Sequence, residues 1–481
     1  MKTTIDRFKQ SKSETISPLA ALKQRWNDDW LVGIESDRFQ AILCHRLQEL
    51  NQFNGDRTQK IFLCESNPEI FLASFLAACI LGYPIFLGNP HWKQTEWREA
   101  IELIQPDLIW HRGIDYNPED IDTTLSSDIS LISPSLTRIM IPTGGTSGKI
   151  RFAIHTWETL MASVRGFQEY FQVDRINSCC LLQLYHVSGL MQFMRSFTTG
   201  GKLWILPKKN LESIENIPQP NLKSERWFIS LVPTQLQRLL NDEKQTNLLQ
   251  QFDVVLLGGA PAWKTLLDKA RFHQIRLAPT YGMTETASQV VTLKPEDFLA
   301  GNESCGQVLP HANLTINSSL NSIHQSGNIS IRSESLFLGY YTPKTGLTPT
   351  LKPEILQSDD IGFFDSCGYF HIIGRCSDKI ITGGENVFPA EVEAAIRGTG
   401  LVTDVCVIGI PDDEWGEAVV AVCIPKVDRI SESELSAAIA DKLARYKQPK
   451  HWIFAASLPR NDRGKINRSQ VKVMVRSNIK V

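Results

Sequence analysis

Short apolar runs alternate with amphipathic stretches through most of this chain, and nothing else in the sequence constrains the fold as tightly. Residues 60–64, 137–141, 180–184, 203–206, 228–232 and 254–257 read as short buried strands. Between them Leu160, Val164, Phe167 and Phe171 fall on one helical face. Pro233 opens another helix, with Leu236, Leu239 and Leu240 on its apolar side. A strand covered on both faces needs no polar alternation, and the helix that covers it needs one apolar stripe. The pattern therefore predicts an α/β fold, layered with mostly parallel sheets and helices. Residues 305–341 differ, with short alternating strands and few helix signals, which predicts a small antiparallel subdomain.

Residues 70–88 carry no charge and approach the ~20 residues of a membrane span. Gly82, Tyr83 and Pro84 interrupt them. The expectation is no membrane span but a buried helix over 69–81, a turn, and a strand at 85–87. Residues 1–14 are polar and have no apolar segment, so no signal peptide is expected there.

A boundary is predicted near Arg375. Residues 369–373 read as a strand, and 374–378 are polar and small. Beyond them Pro389 can start a helix with Val392 and Ile396 on its apolar face and Gly398 after it. Residues 405–408 and 419–424 read as strands, and Ser431 with Glu434 makes a capping box before Leu435, Ile439 and Leu443. The expected division is a large domain, 1–374, and a small C-terminal α+β domain, 375–481. The 481 residues, with 42% hydrophobic and 21% charged, leave ample material for both cores.

Lys+Arg 50 against Asp+Glu 52 gives a net charge of -2, without the basic excess of a nucleic-acid binder. Ten cysteines occur without a single C-x-x-C pair, which speaks for reduced thiols in a cytoplasmic protein over a zinc or thioredoxin-like site. Cys179 and Cys180 are adjacent, and neighbours in a strand point to opposite faces.

Five segments carry residues suited to chemistry. Thr143, Gly144, Gly145, Thr146, Ser147, Gly148 and Lys149 follow an apolar run; the glycines let a ligand approach, and hydroxyls and amides donate to phosphate oxygens. Thr143 and Ile150 stand where a Walker A loop needs Gly and Ser or Thr, so it is not one. A flexible surface turn is the plain alternative. In the second segment Tyr281 beside Gly282 can face a purine, and Glu285 flanked by Thr284 and Thr286 suits magnesium. A capped helix N-terminus explains the same residues. Gly258, Gly259 and Ala260 follow a strand and form a turn that closes on a ligand or merely reverses the chain. Asp360 can accept from ribose hydroxyls, with Arg375 downstream, or lie in a polar turn. Lys465 sits on a basic, Gly-bearing loop that can project an ammonium into a cleft or simply be solvated.

In this order the five segments resemble the adenylate-forming superfamily of acyl-CoA synthetases, adenylation domains and firefly luciferase, over nearly the whole chain. The resemblance implies that the Gly-rich loop, with Thr143, Thr146, Ser147 and Lys149, holds the triphosphate of ATP. It implies that Tyr281 packs on adenine, Thr284 contacts phosphate, Glu285 holds Mg2+, and Asp360 and Arg375 bind ribose. Lys465 would be the catalytic lysine of the small domain, Ser377 would lie at the hinge, and Gly383, Gly384, Glu385 and Asn386 would meet the active site during thioester formation with coenzyme A. One departure stands out: the family's usual Pro and Lys after the loop are Ile150 and Arg151 here.

Within the superfamily, residues 184–190, 230–236 and 281–289 resemble the 2-succinylbenzoate–CoA ligases of menaquinone and phylloquinone biosynthesis. That resemblance implies His186, Ser188 and Arg195 in the acyl pocket, Arg195 holding the second carboxylate of a dicarboxylic small-molecule acid. A surface arginine and a hydrogen-bonded core histidine are the plain alternatives. Another acyl-CoA ligase, a carrier-protein-loading adenylation enzyme and a nucleotide-binding sensor stay open as rivals. So does the oligomeric state, a homo-oligomer included.

Overall fold

The computed structural model describes residues 15–53, 58–111, 137–144, 150–206, 220–222, 225–318, 326–343, 346–347, 353–426, 430–460 and 465–478. Among them the largest sheet has eight strands, in the order Leu31–Val32, Leu203–Ile205, Asn177–Cys180, Trp227–Leu231, Val254–Leu257, Leu277–Met283, Ser288–Thr292 and Gln307–Val308. The first six run parallel, and the last two each pair antiparallel with the strand before. A six-stranded sheet has the order Gly339–Tyr340, Ile150–His155, Ile139–Gly144, Ile85–Leu87, Ile61–Leu63 and Leu108–Trp110. A wholly antiparallel sheet joins Ala312–Ser318, Gly327–Ser333, Leu356–Phe364 and Phe370–Arg375. The α/β reading with an antiparallel subdomain stands.

The uncharged stretch becomes a buried helix, Pro68–Leu81. Asn67 caps it, its side-chain oxygen accepting from the amides of Glu69 (2.9 Å) and Ile70 (3.3 Å). Gly82 ends it in the left-handed region, φ 79. Every residue from Glu69 to Leu81 is buried. Its 14 residues give about 21 Å at ~1.5 Å per residue, short of a bilayer's ~30 Å core. No described helix is long and apolar enough to cross a membrane.

One strand lies earlier than expected. The sequence predicts 180–184, but the strand is Asn177–Cys180. Its polar start hides the signal: the Asn177 side chain donates to the Arg226 carbonyl and accepts from the Lys202 amide. Leu181 and Leu184 are buried, yet the backbone has already left the sheet to begin the helix Val187–Thr199. Cys179 and Cys180 do face opposite cores, one on each side of the sheet.

Beyond residue 379 a separate mixed sheet contains Ile380–Thr382, Glu385–Val387, Val402–Asp412, Gly416–Pro425 and His451–Phe454. The helix Pro389–Arg397 packs Val392 and Ile396 into one of its cores, and the helix Glu432–Ile439 adds Leu435 and Ile439. The helix Arg468–Asn478 packs Val471 and Val475 into the other. The Ser431–Glu434 capping box is present.

Candidate active site

In open α/β sheets ligands collect beyond the carboxyl ends of parallel strands. The loops after Asn177–Cys180, Val254–Leu257 and Leu277–Met283 carry His186, Gly258, Gly259, Ala260 and Thr284. Gly258 lies against Thr280, where a Cβ would come within 2.4 Å of the Thr280 hydroxyl. Gly282 is required by close approach, since a Cβ would meet the Ser288 carbonyl oxygen at 2.1 Å.

After Leu277–Met283 the chain makes a single 3-10 turn, Thr284–Thr286, where a capped helix was one expectation. This turn is pinned from several sides. The buried His155 bonds the Thr284 carbonyl through Nε2 at 2.8 Å. The Phe337 amide donates to the Glu285 carbonyl at 2.9 Å, and Ser335 donates to the Thr286 carbonyl at 2.8 Å. Ala287 and Ser288 follow at φ 50 and 91, a left-handed conformation that non-glycine residues adopt at a cost. The Thr286 hydroxyl holds the Ser288 carbonyl at 2.6 Å.

Glu285 is buried, and its carboxylate is the meeting point of two sheets. Tyr340 donates to Oε1 at 2.6 Å and Thr143 to the same oxygen at 3.4 Å. The Arg151 guanidinium lies over the Tyr340 ring at 5.0 Å. Burial first, then Glu285, push the Tyr340 phenol up, so it stays the donor. Oxygen ligands of this kind suit magnesium, which takes one or two carboxylates and fills its shell with phosphate and water. Gly144 ends its strand beside this carboxylate's partner Thr143; Gly145, Thr146, Ser147, Gly148 and Lys149 lie outside the described residues.

A second cluster joins Tyr281, Ser358, Asp360 and Arg375. The Tyr281 hydroxyl donates to Asp360 Oδ2 at 2.9 Å, and Ser358 donates to the same oxygen at 3.0 Å. Arg375 Nε reaches Asp360 Oδ1 at 3.1 Å from the directly paired strand position. Burial and Asp360 raise the Tyr281 phenol, keeping it protonated. The predicted pair, Asp360 and Arg375, is thus brought together, with half of the Arg375 side chain exposed. Next to it Asp359 accepts from the amide of Ser377 at 3.2 Å and from its hydroxyl.

The third cluster lies along the helix Val187–Thr199. His186 caps its start, and its carbonyl accepts from the amides of Gly189 and Leu190. Ser188 is exposed, but Arg195, two turns on, is only 2% exposed. That burial excludes a snorkelling surface arginine. Its guanidinium stacks on Phe167 at 4.3 Å and donates to Gln289 Oε1 at 2.9 Å and Ser288 Oγ at 3.3 Å. Burial lowers its pKa to about 9, so it keeps its charge at neutral pH. His311, also buried, packs against Gly166, where a Cβ would lie 1.9 Å from its Nδ1. Burial, then Arg195 and Arg165, hold its pKa at about 4.

The last residues belong to the C-terminal sheet. Gly383 and Gly384, at φ 57 and 79, and the exposed Glu385 form a hairpin turn against Trp415, whose carbonyl accepts from the Gly383 amide. Lys465 is exposed beside Ile466, which bridges back to Arg460. Tyr340, Ser358, Gln289 and His311 escaped the sequence reading. Each is a lone polar residue in a strand or turn with no spacing signal, and only the assembled sheets give it a partner.

The chain belongs to the AMP-binding, adenylate-forming enzyme family, whose description as AMP-binding enzyme matches residues 41–341 and whose C-terminal domain matches 391–465. It is an adenylate-forming acyl-CoA ligase. Among its relatives, the 2-succinylbenzoate–CoA ligase of Listeria monocytogenes (strain EGD-e) is 33% identical over 472 residues, covering 98% of this chain and 94% of that one. The enzyme of the same name from Oceanobacillus iheyensis is 32% identical, covering 68% of each. Of solved structures, o-succinylbenzoate CoA synthetase of Bacillus subtilis with its acyl-adenylate intermediate shares the fold at a TM-score of 0.78 and 23% identity, covering 94% of this chain and 97% of that one. ATP-bound MatB of Rhodopseudomonas palustris does so at 0.79 and 20%, covering 96% and 99%.

Proposed function

We propose that the chain converts 2-succinylbenzoate, ATP and coenzyme A to 2-succinylbenzoyl-CoA, AMP and diphosphate, a step of menaquinone or phylloquinone synthesis. The observation that carries this reading is Arg195: a buried cation with no carboxylate within ion-pair distance among the described residues. A buried charge needs a counter-charge. A dicarboxylic acid supplies one with its second carboxylate while the first reacts. The 33% identity to the Listeria enzyme over nearly the whole chain supports the same substrate.

In the first step a substrate carboxylate attacks the α-phosphorus of ATP, forming an acyl-adenylate and releasing diphosphate. The acid is already ionised at neutral pH, so no general base is needed. The step needs two anions aligned and their charge neutralised. Asp360 and Arg375 bind the ribose, Tyr281 packs on the base, and the turn of Gly258, Gly259 and Ala260 borders the adenylate. Thr284 and the Gly-rich loop take the phosphates, and the ammonium of Lys465 compensates the charge that develops on them. Bound Mg2+, held by Glu285, supplies further charge neutralisation. His186 and Ser188 line the acid pocket.

In the second step the thiol of coenzyme A attacks the acyl carbon and AMP leaves. We divide the chain into domains 1–374 and 375–481, hinged near Ser377. The smaller domain turns between the steps, replacing Lys465 with the turn of Gly383, Gly384 and Glu385. Ten free thiols fit a cytoplasmic enzyme.

The test is diphosphate release with ATP and magnesium, offering 2-succinylbenzoate, benzoate, a fatty acid and an amino acid, each with and without coenzyme A. Release confined to 2-succinylbenzoate, with a CoA thioester formed, is the expected result. Release with another acid alone overturns the substrate.

A further inference from the structure

Gln289 lies on the strand Ser288–Thr292 and is 5% exposed. Its neighbours decide which way its amide points. Arg195 Nη2 donates to Oε1 at 2.9 Å, and Ser288 Oγ donates to the same oxygen at 3.2 Å. A guanidinium has donors only, so the amide oxygen must face it and Nε2 must turn elsewhere. Turned that way, Nε2 is buried with no partner, and so is the Nε of Arg195. Two buried donors beside each other, one of them charged, are rarely left unbonded in a folded protein. An acceptor with negative charge and two oxygens satisfies both.

The helix Val187–Thr199 leads from the open end of the site to this pair. Ser188 and Gln192 stand on one face with Arg195, and Gln192 Nε2 donates back to the Ser188 carbonyl at 3.0 Å. Ser188 is exposed and Gln192 is buried. From Ser188 to Arg195 the helix descends about 10 Å at ~1.5 Å per residue. An acid that reacts near the open end can therefore place a second carboxylate at the buried end only if it is extended.

We propose that Gln289 is a specificity-determining residue that donates through Nε2, beside Arg195, to the second carboxylate of a dicarboxylic acid. This rests on the reading of Arg195 as the anchor for that group. Gln289 thereby does two things: its oxygen fixes the guanidinium, and its nitrogen completes the cradle. An aspartate or glutamate at this position would neutralise Arg195 internally and favour acids with one carboxylate.

The experiment measures kcat/KM of diphosphate release for 2-succinylbenzoate and for its two monocarboxylic counterparts, 3-benzoylpropionate and 2-propionylbenzoate. The wild-type chain is expected to favour the dicarboxylate at least tenfold over whichever counterpart keeps the reacting group. In Q289E that ratio is expected to fall at least tenfold, the dicarboxylate losing more than the monocarboxylate. Q289M, which keeps the shape and removes both the donor and the oxygen that fixes Arg195, is expected to lose three- to tenfold of the ratio. An unchanged ratio in Q289E overturns the inference. Equal losses on all acids overturn it too, because Gln289 then only supports the fold. A wild-type chain with no preference for the dicarboxylate sinks the substrate reading and this inference together, whereas a failure confined to the variants leaves that reading standing.

Discussion

Tyr340 donates its phenolic hydrogen to Glu285 Oε1 at 2.6 Å across the junction of two sheets. Tyr340 comes from a two-residue strand paired with Ile150–His155, and Arg151 of that neighbouring strand caps its ring. Glu285 comes from the turn after the large parallel sheet. The bond therefore fixes the carboxylate relative to Thr143 and the start of the Gly-rich loop. Arg151, standing where the family usually has Lys, brings its cation to the same junction.

Removing that bond should loosen Glu285 without emptying the site. A hydrogen bond to a charged group is worth about 1.5–3 kcal/mol. Tyr340→Phe is expected to raise the magnesium concentration for half-maximal diphosphate release about tenfold or more. Titration of manganese into the variant with ATP should show the same weakening. A magnesium dependence identical to wild type would detach Tyr340 from this role.

Asp360 accepts from Tyr281, Ser358 and Arg375 together. Asp360→Asn keeps the shape but removes the charge that pairs with Arg375. It also turns one acceptor into a donor facing the Tyr281 hydroxyl. The expected outcome is a KM for ATP raised tenfold or more, with the KM for the acid changed much less. Initial rates over a grid of both substrates measure this; equal effects on the two would contradict it.

His311 predicts a pH dependence of stability. Its folded pKa is about 4, lowered by burial and by Arg195 and Arg165, against 6.5 for the ordinary side chain. Between those values the unfolded chain binds the proton and the folded chain does not, so stability rises with pH there. Acidification from pH 6.5 towards 4 should therefore cost up to about 3 kcal/mol from this residue. His311→Gln should flatten the acid limb of a urea-melting profile over that window. A limb of unchanged steepness would place the titration elsewhere.

The strands and helices that were read, such as Pro68–Leu81 and Val254–Leu257, were legible because their signals are local: apolar runs, one-sided stripes, Pro at helix starts and Gly at their ends; Ile150–His155, Leu277–Met283 and Ser288–Thr292, which carry residues of the site, were not read. The strand Asn177–Cys180 was misplaced by a few residues because its polar first half hides in hydrogen bonds to Arg226 and Lys202. Asp360 and Arg375 were paired from the chemistry of a sugar site and the family resemblance; that they are direct strand partners came only with the structure. Tyr340 and Gln289 were not legible, since Tyr340 lies 55 residues from Glu285 and Gln289 lies 94 from Arg195. Contacts of that separation leave no periodicity in a single chain; they exist only once the sheets have stacked.

Lys465 and the Gly383–Gly384 turn should separate the two halves of the reaction. Lys465 is exposed, so its loss should cost little stability. Lys465→Ala is expected to slow acyl-adenylate formation at least a hundredfold while leaving transfer from preformed acyl-adenylate to coenzyme A within about threefold. Gly383 is different: it sits at φ 57, and a Cβ there would press within 2.9 Å of Trp415. Gly383→Val would strain the backbone and displace the turn that we assign to the second step. Its expected signature is the converse, adenylate formation nearly intact and thioester formation slowed tenfold or more. Diphosphate release in single turnovers reads the first half, and transfer from purified acyl-adenylate reads the second. Parallel losses in both halves for both variants would mean that the two loops do not serve separate steps.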